Sequence, residues 1–63
     1  MLTNGFKLNY KGFTFVIQYD IEDREYVAVY HGFSASASTQ DRAISNLYSL
    51  IQDTFQGEDE ETN

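Results

Sequence analysis

The chain contains no cysteine, no proline and no tryptophan among its 63 residues. Without cysteine, neither a disulfide nor a thiolate metal site can stabilise the domain. The lack of proline argues against a proline-rich linker and is typical of a compact domain built from regular elements. So small a domain depends on its apolar side chains, and the sequence supplies five Phe and five Tyr for that purpose.

Basic residues and long apolar runs are also scarce. The four basic residues are scattered along the chain, so no basic cluster is present that could neutralise the phosphates of a nucleic acid. No segment approaches the roughly 18 consecutive apolar residues that a membrane helix needs, and no secretory signal opens the chain. We therefore expect a cytoplasmic protein, or one in the host cytoplasm if a phage encodes it, without direct contact to membrane or nucleic acid.

Acidic residues are concentrated near the end of the chain. Four of the ten lie in residues 58–61, which leaves six acidic against four basic residues and a formal charge of −2 for the remainder. We predict a single domain over residues 1–57 and an acidic, disordered tail over residues 58–63. The alternative is that this tail binds a basic surface of a partner.

Alternation of apolar and polar residues predicts β-strands over the first half of the chain. Residues 1–5 are expected to be loose, and Lys11 and Gly12 are expected to form a tight turn. Gly32 is expected to adopt a backbone conformation that other residues resist. The predicted strands are residues 6–10, 13–20, 26–31 and, with much smaller side chains, 34–38.

The segment of residues 34–38, with the sequence SASAS, leaves two interpretations open. It is either a short strand or a loop. In both cases its small side chains would let a following helix approach the sheet closely.

A helix is predicted to begin after Ser38 or Thr39. Either side chain can cap the helix, and Asp41 lies three residues after Ser38, close to the spacing of a capping box. The helix is expected to end at Gly57. Apolar residues recur at steps of three and four on one helical face: Ala43, Ile44, Leu47, Leu50, Ile51 and Phe55.

These elements predict an α+β domain in which a three- to four-stranded antiparallel sheet packs against one C-terminal helix. One helix covers one face of a sheet, yet Val16, Val27 and Val29 are predicted to lie on the other face. We interpret these valines as an oligomer interface, in a homodimer or with an obligate partner. The alternative is a monomer in which Tyr and Gln side chains shield them.

No motif in the chain indicates catalysis, a metal or a cofactor. His31 is the single histidine, and we interpret it as structural. The run DIEDRE, residues 20–25, contains several carboxylates, but it lacks the glycine and closing glutamate of a calcium loop in the required register. A nucleophile elbow, a P-loop and a dinucleotide fingerprint are all missing. We therefore predict a protein that is not an enzyme and has no metal or cofactor site.

Residues 13–52 combine several short motifs in a particular order. A hydrophobic strand is followed by an acidic turn, a Tyr-Val-Ala strand, a short strand and a helix that opens T-x-x-x-A-x-x-N-L. Thr39, Ala43, Asn46 and Leu47 occupy the positions of that helical motif. In this order and in these motifs the chain resembles the HicB-like antitoxin domain.

The resemblance implies a degraded ribonuclease-H-like fold without nuclease activity, together with dimerisation and binding to a small basic toxin that cleaves RNA. Most complete members of that family add a DNA-binding extension, whereas this sequence shows an acidic tail instead, and we therefore expect a stand-alone module. The favoured function is thus a small acidic, protein-binding inhibitor of the antitoxin type, which occludes the surface of a partner such as a toxin ribonuclease.

Two other functions remain as alternatives. One is a phage-encoded mimic of nucleic acid that inhibits a host DNA-processing or defence enzyme, such as a DNA glycosylase, a nuclease or a CRISPR effector. The other is an assembly subunit without an inhibitory role. A partner-binding face rich in carboxylates and aromatic rings is predicted from Tyr19, Asp20, Glu22, Asp23, Glu25 and Tyr26.

Overall fold

The computed structural model describes residues 3–62, with side chains described as far as Thr54. Within these residues four antiparallel strands are followed by one helix, which confirms the predicted α+β architecture. The strands lie in the sheet in chain order, so each pairs with its neighbours in the sequence. The elements are β1 Phe6–Tyr10, β2 Phe13–Asp20, β3 Glu25–Tyr30, β4 Phe33–Ala37 and α1 Gln40–Thr62.

Two-residue turns join β1 to β2 and β3 to β4. Lys11 and Gly12 have φ angles of 50° and 88°, and positive φ at both turn positions is characteristic of a type I′ hairpin. In the second turn His31 has the positive φ, 50°, so the prediction that Gly32 adopts the unusual conformation is wrong. Primed turns need a positive φ at the first turn position, and His31 occupies that position.

The Lys11 side chain connects the first turn to the helix. Its ammonium nitrogen Nζ lies 4.9 Å from the centre of the Tyr48 ring and 5.5 Å from the centre of the Tyr10 ring. This cation–π attraction offsets part of the roughly 1 kcal/mol that a left-handed backbone costs a residue with a Cβ atom.

β4 is the segment that the sequence leaves open to two interpretations, a strand or a loop. It pairs with β3 along its whole length, with Ala35 opposite Ala28, so the strand interpretation is confirmed and the loop interpretation is wrong. Ala35 and Ala37 pack against the core beneath α1, whereas Ser34 and Ser36 are exposed. The small side chains allow α1 to lie close to the sheet, over β3 and β4.

The hydrophobic core lies between α1 and the sheet. Leu50 is predicted to belong to it, but its side chain is 42% exposed. At about 100° per residue, Leu50 lies at the border of the apolar arc of the helix. The side chain of Phe55 lies outside the described residues. The buried core residues are Phe15, Ile17, Ala28, Ala43, Ile44, Leu47 and Ile51.

Aromatic rings cover the half of the sheet that α1 does not reach. Tyr48 of the helix meets Tyr10 and Phe13 edge-on, with ring centres 5.3 and 5.9 Å apart. Tyr30 contacts Phe13 and Phe15 in the same manner, at 5.3 and 5.7 Å. Edge-to-face contacts of this kind add about 0.5–1.5 kcal/mol each beyond the burial of area. The abundant aromatic residues therefore extend the core from the helix towards β1.

Thr39 is the N-cap of α1. Its Oγ1 atom accepts a hydrogen bond from the Arg42 N–H at 3.2 Å, and its carbonyl oxygen accepts one from the Ala43 N–H at 3.1 Å. With Thr39 as the cap, Arg42 occupies the third helical position, so the predicted capping-box role of Asp41 is wrong. Asp41 still lies in the first turn, where its charge suits the helix dipole.

The far end of α1 also differs from the prediction. The helix continues to Thr62, so the predicted end at Gly57 is wrong. A glycine within a helix costs about 1 kcal/mol relative to alanine, but it keeps its N–H donor and need not end the helix. Side chains of residues 55–63 lie outside the described residues, and the division into a domain 1–57 and a disordered tail 58–63 stays a prediction.

The cap can be tested by replacing Thr39. Thr39→Ala should lower the free energy of unfolding by about 1 kcal/mol, since one N–H of the first helical turn loses its partner. Urea denaturation followed by circular dichroism would measure this difference. Ser38→Ala is the matched control and should change stability by less than about 0.5 kcal/mol. Equal losses in the two variants would contradict the assignment of Thr39 as the cap.

Candidate functional site

The sheet face that points away from α1 has no described element packed against it, and we call it the open face. Side chains alternate between the two sides of each strand, so residues adjacent to the buried core positions project onto this face. Around the centre of this face lie side chains that are either uncharged and polar or basic: Lys7, Asn9, Thr14, Gln18, Ser34 and Ser36.

Val16, Val27 and Val29 lie together at the centre of the open face, and we call them the valine patch. Val16 is directly opposite Val29 in the pairing of β2 with β3, and Val27 precedes Val29 by two residues on the same side. All of them are half-buried. The structure thus brings together the residues predicted as an interface, while the interface itself stays a prediction.

The segment before β1 borders the valine patch. A Cβ atom added at Gly5 would lie 2.8 Å from Cγ1 of Val16 and 2.9 Å from Cγ of Gln18, so only glycine fits there without a shift. Thr3 donates its N–H to the Tyr19 carbonyl at 2.9 Å, and its Oγ1 accepts from the Tyr19 N–H at 3.1 Å. The expectation that residues 1–5 are loose is therefore wrong for residues 3–5. A glycine directly before a strand is a signal of such close approach.

The predicted acidic and aromatic residues gather at the end of the sheet where β2 turns into β3. Tyr19 and Tyr26 are paired across the two strands, with ring centres 4.9 Å apart. By alternation from the buried residue Ile17, both rings lie on the helix side of the sheet.

The carboxylates of this group are placed differently. Asp20 and Glu25 are paired across the strands on the open face, and Glu22 and Asp23 lie in the exposed turn between them. Rings and carboxylates thus share one end of the sheet, but the sheet separates them into two surfaces. A partner that contacts the open face would meet Asp20 and Glu25 rather than the two tyrosines.

Asp20 shapes the turn in which the acidic residues lie. Its Oδ1 atom accepts hydrogen bonds from the N–H of Glu22 at 3.1 Å and of Asp23 at 3.3 Å. The bond from the Asp23 N–H holds the pKa of the Asp20 carboxyl below its ordinary value of 3.8, and the Glu22 N–H acts in the same direction. The turn ends at Arg24, whose φ of 56° is in the left-handed region. This carboxylate therefore has a structural role.

Surfaces, rather than cavities, are the features of the described chain to which a ligand could bind. The side chains described up to Thr54 form no pocket, and no three His, Asp or Glu among them come together to hold a metal ion. His31 is exposed, with its ring edge-on to Tyr30 at 4.4 Å. Within residues 3–62, no helix combines the length and the apolar character that crossing a bilayer requires.

Comparison with known proteins adds no relative. No protein-family model, no curated protein and no solved structure matches this chain. The resemblance to the HicB-like antitoxin domain thus rests on the sequence motifs alone and stays a hypothesis. The β-β-β-β-α order predicted from the residues is present in the structure.

The role of Asp20 predicts a pH dependence. A folded-state pKa below 3.8 means that the carboxylate stabilises the fold above that pH, and that this contribution is lost as the pH falls through the lowered value. Asp20→Asn should therefore be less stable than the wild type near neutral pH, and the difference should shrink below pH 3.8.

Urea denaturation at a series of pH values measures this difference. Asp23→Asn is the matched control, because it removes one charge from the same turn without touching the carboxylate of Asp20. The same pH dependence in both variants would show that the effect comes from charge in general and not from the hydrogen bonds of Asp20.

Proposed function

We propose that this chain is a cytoplasmic, protein-binding inhibitor of the antitoxin type, which covers a surface of its partner with its open face. The observation that supports this proposal is the valine patch, an apolar centre surrounded by polar side chains on a face that α1 leaves uncovered. Apolar centres with polar rims are typical of protein–protein interfaces, and contiguous exposed apolar patches are uncommon elsewhere.

The size of the open face indicates how far the contact must extend. Four strands of 5 to 8 residues, about 4.8 Å apart, make a face on the order of 300 Å². A standard interface buries about 800 Å² on each partner. The contact therefore has to continue beyond the open face itself. The charged groups on that face are Lys7, directly opposite Val16, and Asp20 and Glu25 at the end where β2 turns into β3.

A partner with an apolar centre and basic residues beside it fits this surface best. The carboxylates of Asp20 and Glu25 would attract basic side chains, while the valine patch supplies apolar burial. A small basic ribonuclease toxin, the partner implied by the sequence resemblance, would supply the basic side chains. Mimicry of nucleic acid has less support, because Asp20 is bound within its own turn and Tyr19 and Tyr26 lie on the other side of the sheet.

Capture of partners followed by an activity assay tests this proposal. Tagged full-length chain would be incubated with a lysate of the cells that encode it, and captured proteins identified by mass spectrometry. We expect a small basic ribonuclease whose RNA cleavage stops when the chain is added. Its binding should persist at high salt, because the valine patch supplies most of the affinity.

Substitutions on the open face provide the matched comparison. Val29→Asp should weaken binding about 100-fold, because it places a charge at the centre of the contact, whereas Asn9→Asp adds the same charge at the outer strand and should change binding little. Circular dichroism would verify that both variants fold. Equal binding by the two variants, or a captured protein whose activity is unchanged, would contradict the proposal. Binding that disappears steeply with salt would favour mimicry.

A further inference from the structure

β4 is an edge strand, and within residues 3–62 no backbone group pairs with its outer side. Because a two-residue turn joins Tyr30 to Phe33, the backbone N–H and C=O groups of Phe33, Ala35 and Ala37 point towards β3. Those of Ser34 and Ser36 point outwards. The free edge thus offers two donors and two acceptors in the register of a further strand.

The two edges of the sheet differ in how they are protected. β1, at the other edge, carries Lys7, and the segment that precedes it is hydrogen-bonded to β2 through Thr3. Lysine and irregular backbone are common means of preventing a further strand from pairing with an edge. β4, with the sequence FSASA, contains neither.

We propose that β4 pairs antiparallel with β4 of a second copy of this chain, with Ala35 opposite Ala35 of that copy. This register makes Ser34 of one copy and Ser36 of the other exchange both backbone hydrogen bonds. The Ala35 pair is then of the non-hydrogen-bonded kind, in which the Cα atoms approach to about 4.5 Å and small side chains are favoured. On the helix side, Phe33 of one copy lies opposite Ala37 of the other, so that a large side chain faces a small one.

The position of the helix fits the same pairing. α1 lies over β3 and β4, so the helix axis is displaced from β4 towards β3 by about half the spacing between strands. Adding one strand spacing between the copies places the two helix axes about 10 Å apart, which is the distance at which helices pack. The two helices would lie side by side on one face of an eight-stranded sheet, with both valine patches on the other.

Leu50 lies on the flank of α1 that this pairing would cover. At about 100° per residue, it is about 160° around the helix axis from Tyr48, whose ring faces Tyr10 and Phe13 on the β1 side. Leu50 therefore points towards the free edge of β4. The second copy would bury an apolar side chain that is 42% exposed in the single chain.

Charged residues on this flank are complementary between copies. Arg42 and Asp53 are both exposed, and both lie within about 80° of Leu50 on the helix. The pairing makes the two helices antiparallel, which brings Arg42 of one copy level with the region of Asp53 of the other. Two symmetric contacts between opposite charges would result.

Analytical ultracentrifugation of the full chain tests the proposal, and its outcome does not depend on the proposed function. The wild type should be a dimer. Ser36→Pro removes an outward N–H without touching the pairing with β3, and should raise the dimer Kd about 10- to 100-fold because two symmetric hydrogen bonds are lost. Asn9→Pro changes the equivalent outward position of β1 and should leave the dimer intact.

A second pair of variants keeps the test valid if proline disturbs the fold, which circular dichroism would reveal. Leu50→Glu should weaken the dimer. Ser45→Glu adds the same charge at an exposed position of α1 that does not face the β4 edge, and it should leave the dimer intact. A wild type that stays monomeric at about 1 mM would overturn the proposal. So would a folded Ser36→Pro or Leu50→Glu variant that dimerises as well as its control, or a dimer that only Val29→Asp disrupts.

Discussion

The close contact of α1 with the alanines of β3 and β4 is the constraint on which the rest of the structure depends. Ala28 and Ala35 are paired across the two strands, and Ala28 and Ala43 have no exposed surface. Side chains of this size bring the helix near the sheet over β3 and β4, and this leaves the β1 side for the aromatic rings to cover. The unusual SASA sequence of β4 is explained by this contact on one side and by solvent on the other.

The same constraint determines which surfaces remain available. One helix over half of one face leaves the opposite face uncovered by any described element, with the valine patch at its centre. The outer edge of β4 is also without a partner among residues 3–62, because β4 is the last strand in the sheet order. One surface offers apolar side chains among polar ones, and the other offers a row of backbone donors and acceptors, which are the two features on which the proposed contacts with other proteins rest.

Local sequence patterns predicted most of this fold. They did not predict contacts between residues distant in the chain, or features whose local cost the rest of the structure offsets. Alternation identified the strands and placed the valines together, since the period of two does not depend on the rest of the chain. The same period would have separated Tyr19 from Asp20, which are adjacent and so lie on opposite faces. The pairing of Thr3 with Tyr19 joins residues that are distant in the chain, so no local pattern indicates it. The helix continues through Gly57 because the helix propensity that glycine lacks is a small free-energy cost, which the surrounding helical turns can outweigh.

The stability of Ala28→Val tests the central constraint most directly, with Ser34→Val as a control on the exposed side of β4. Valine is the better strand former, so propensity alone predicts that both substitutions are neutral or stabilising. If the helix needs a small side chain beneath it, Ala28→Val should instead lower the free energy of unfolding by about 1–3 kcal/mol, while Ser34→Val should not. Urea denaturation at one protein concentration would measure both. An Ala28→Val variant as stable as the wild type would contradict the account.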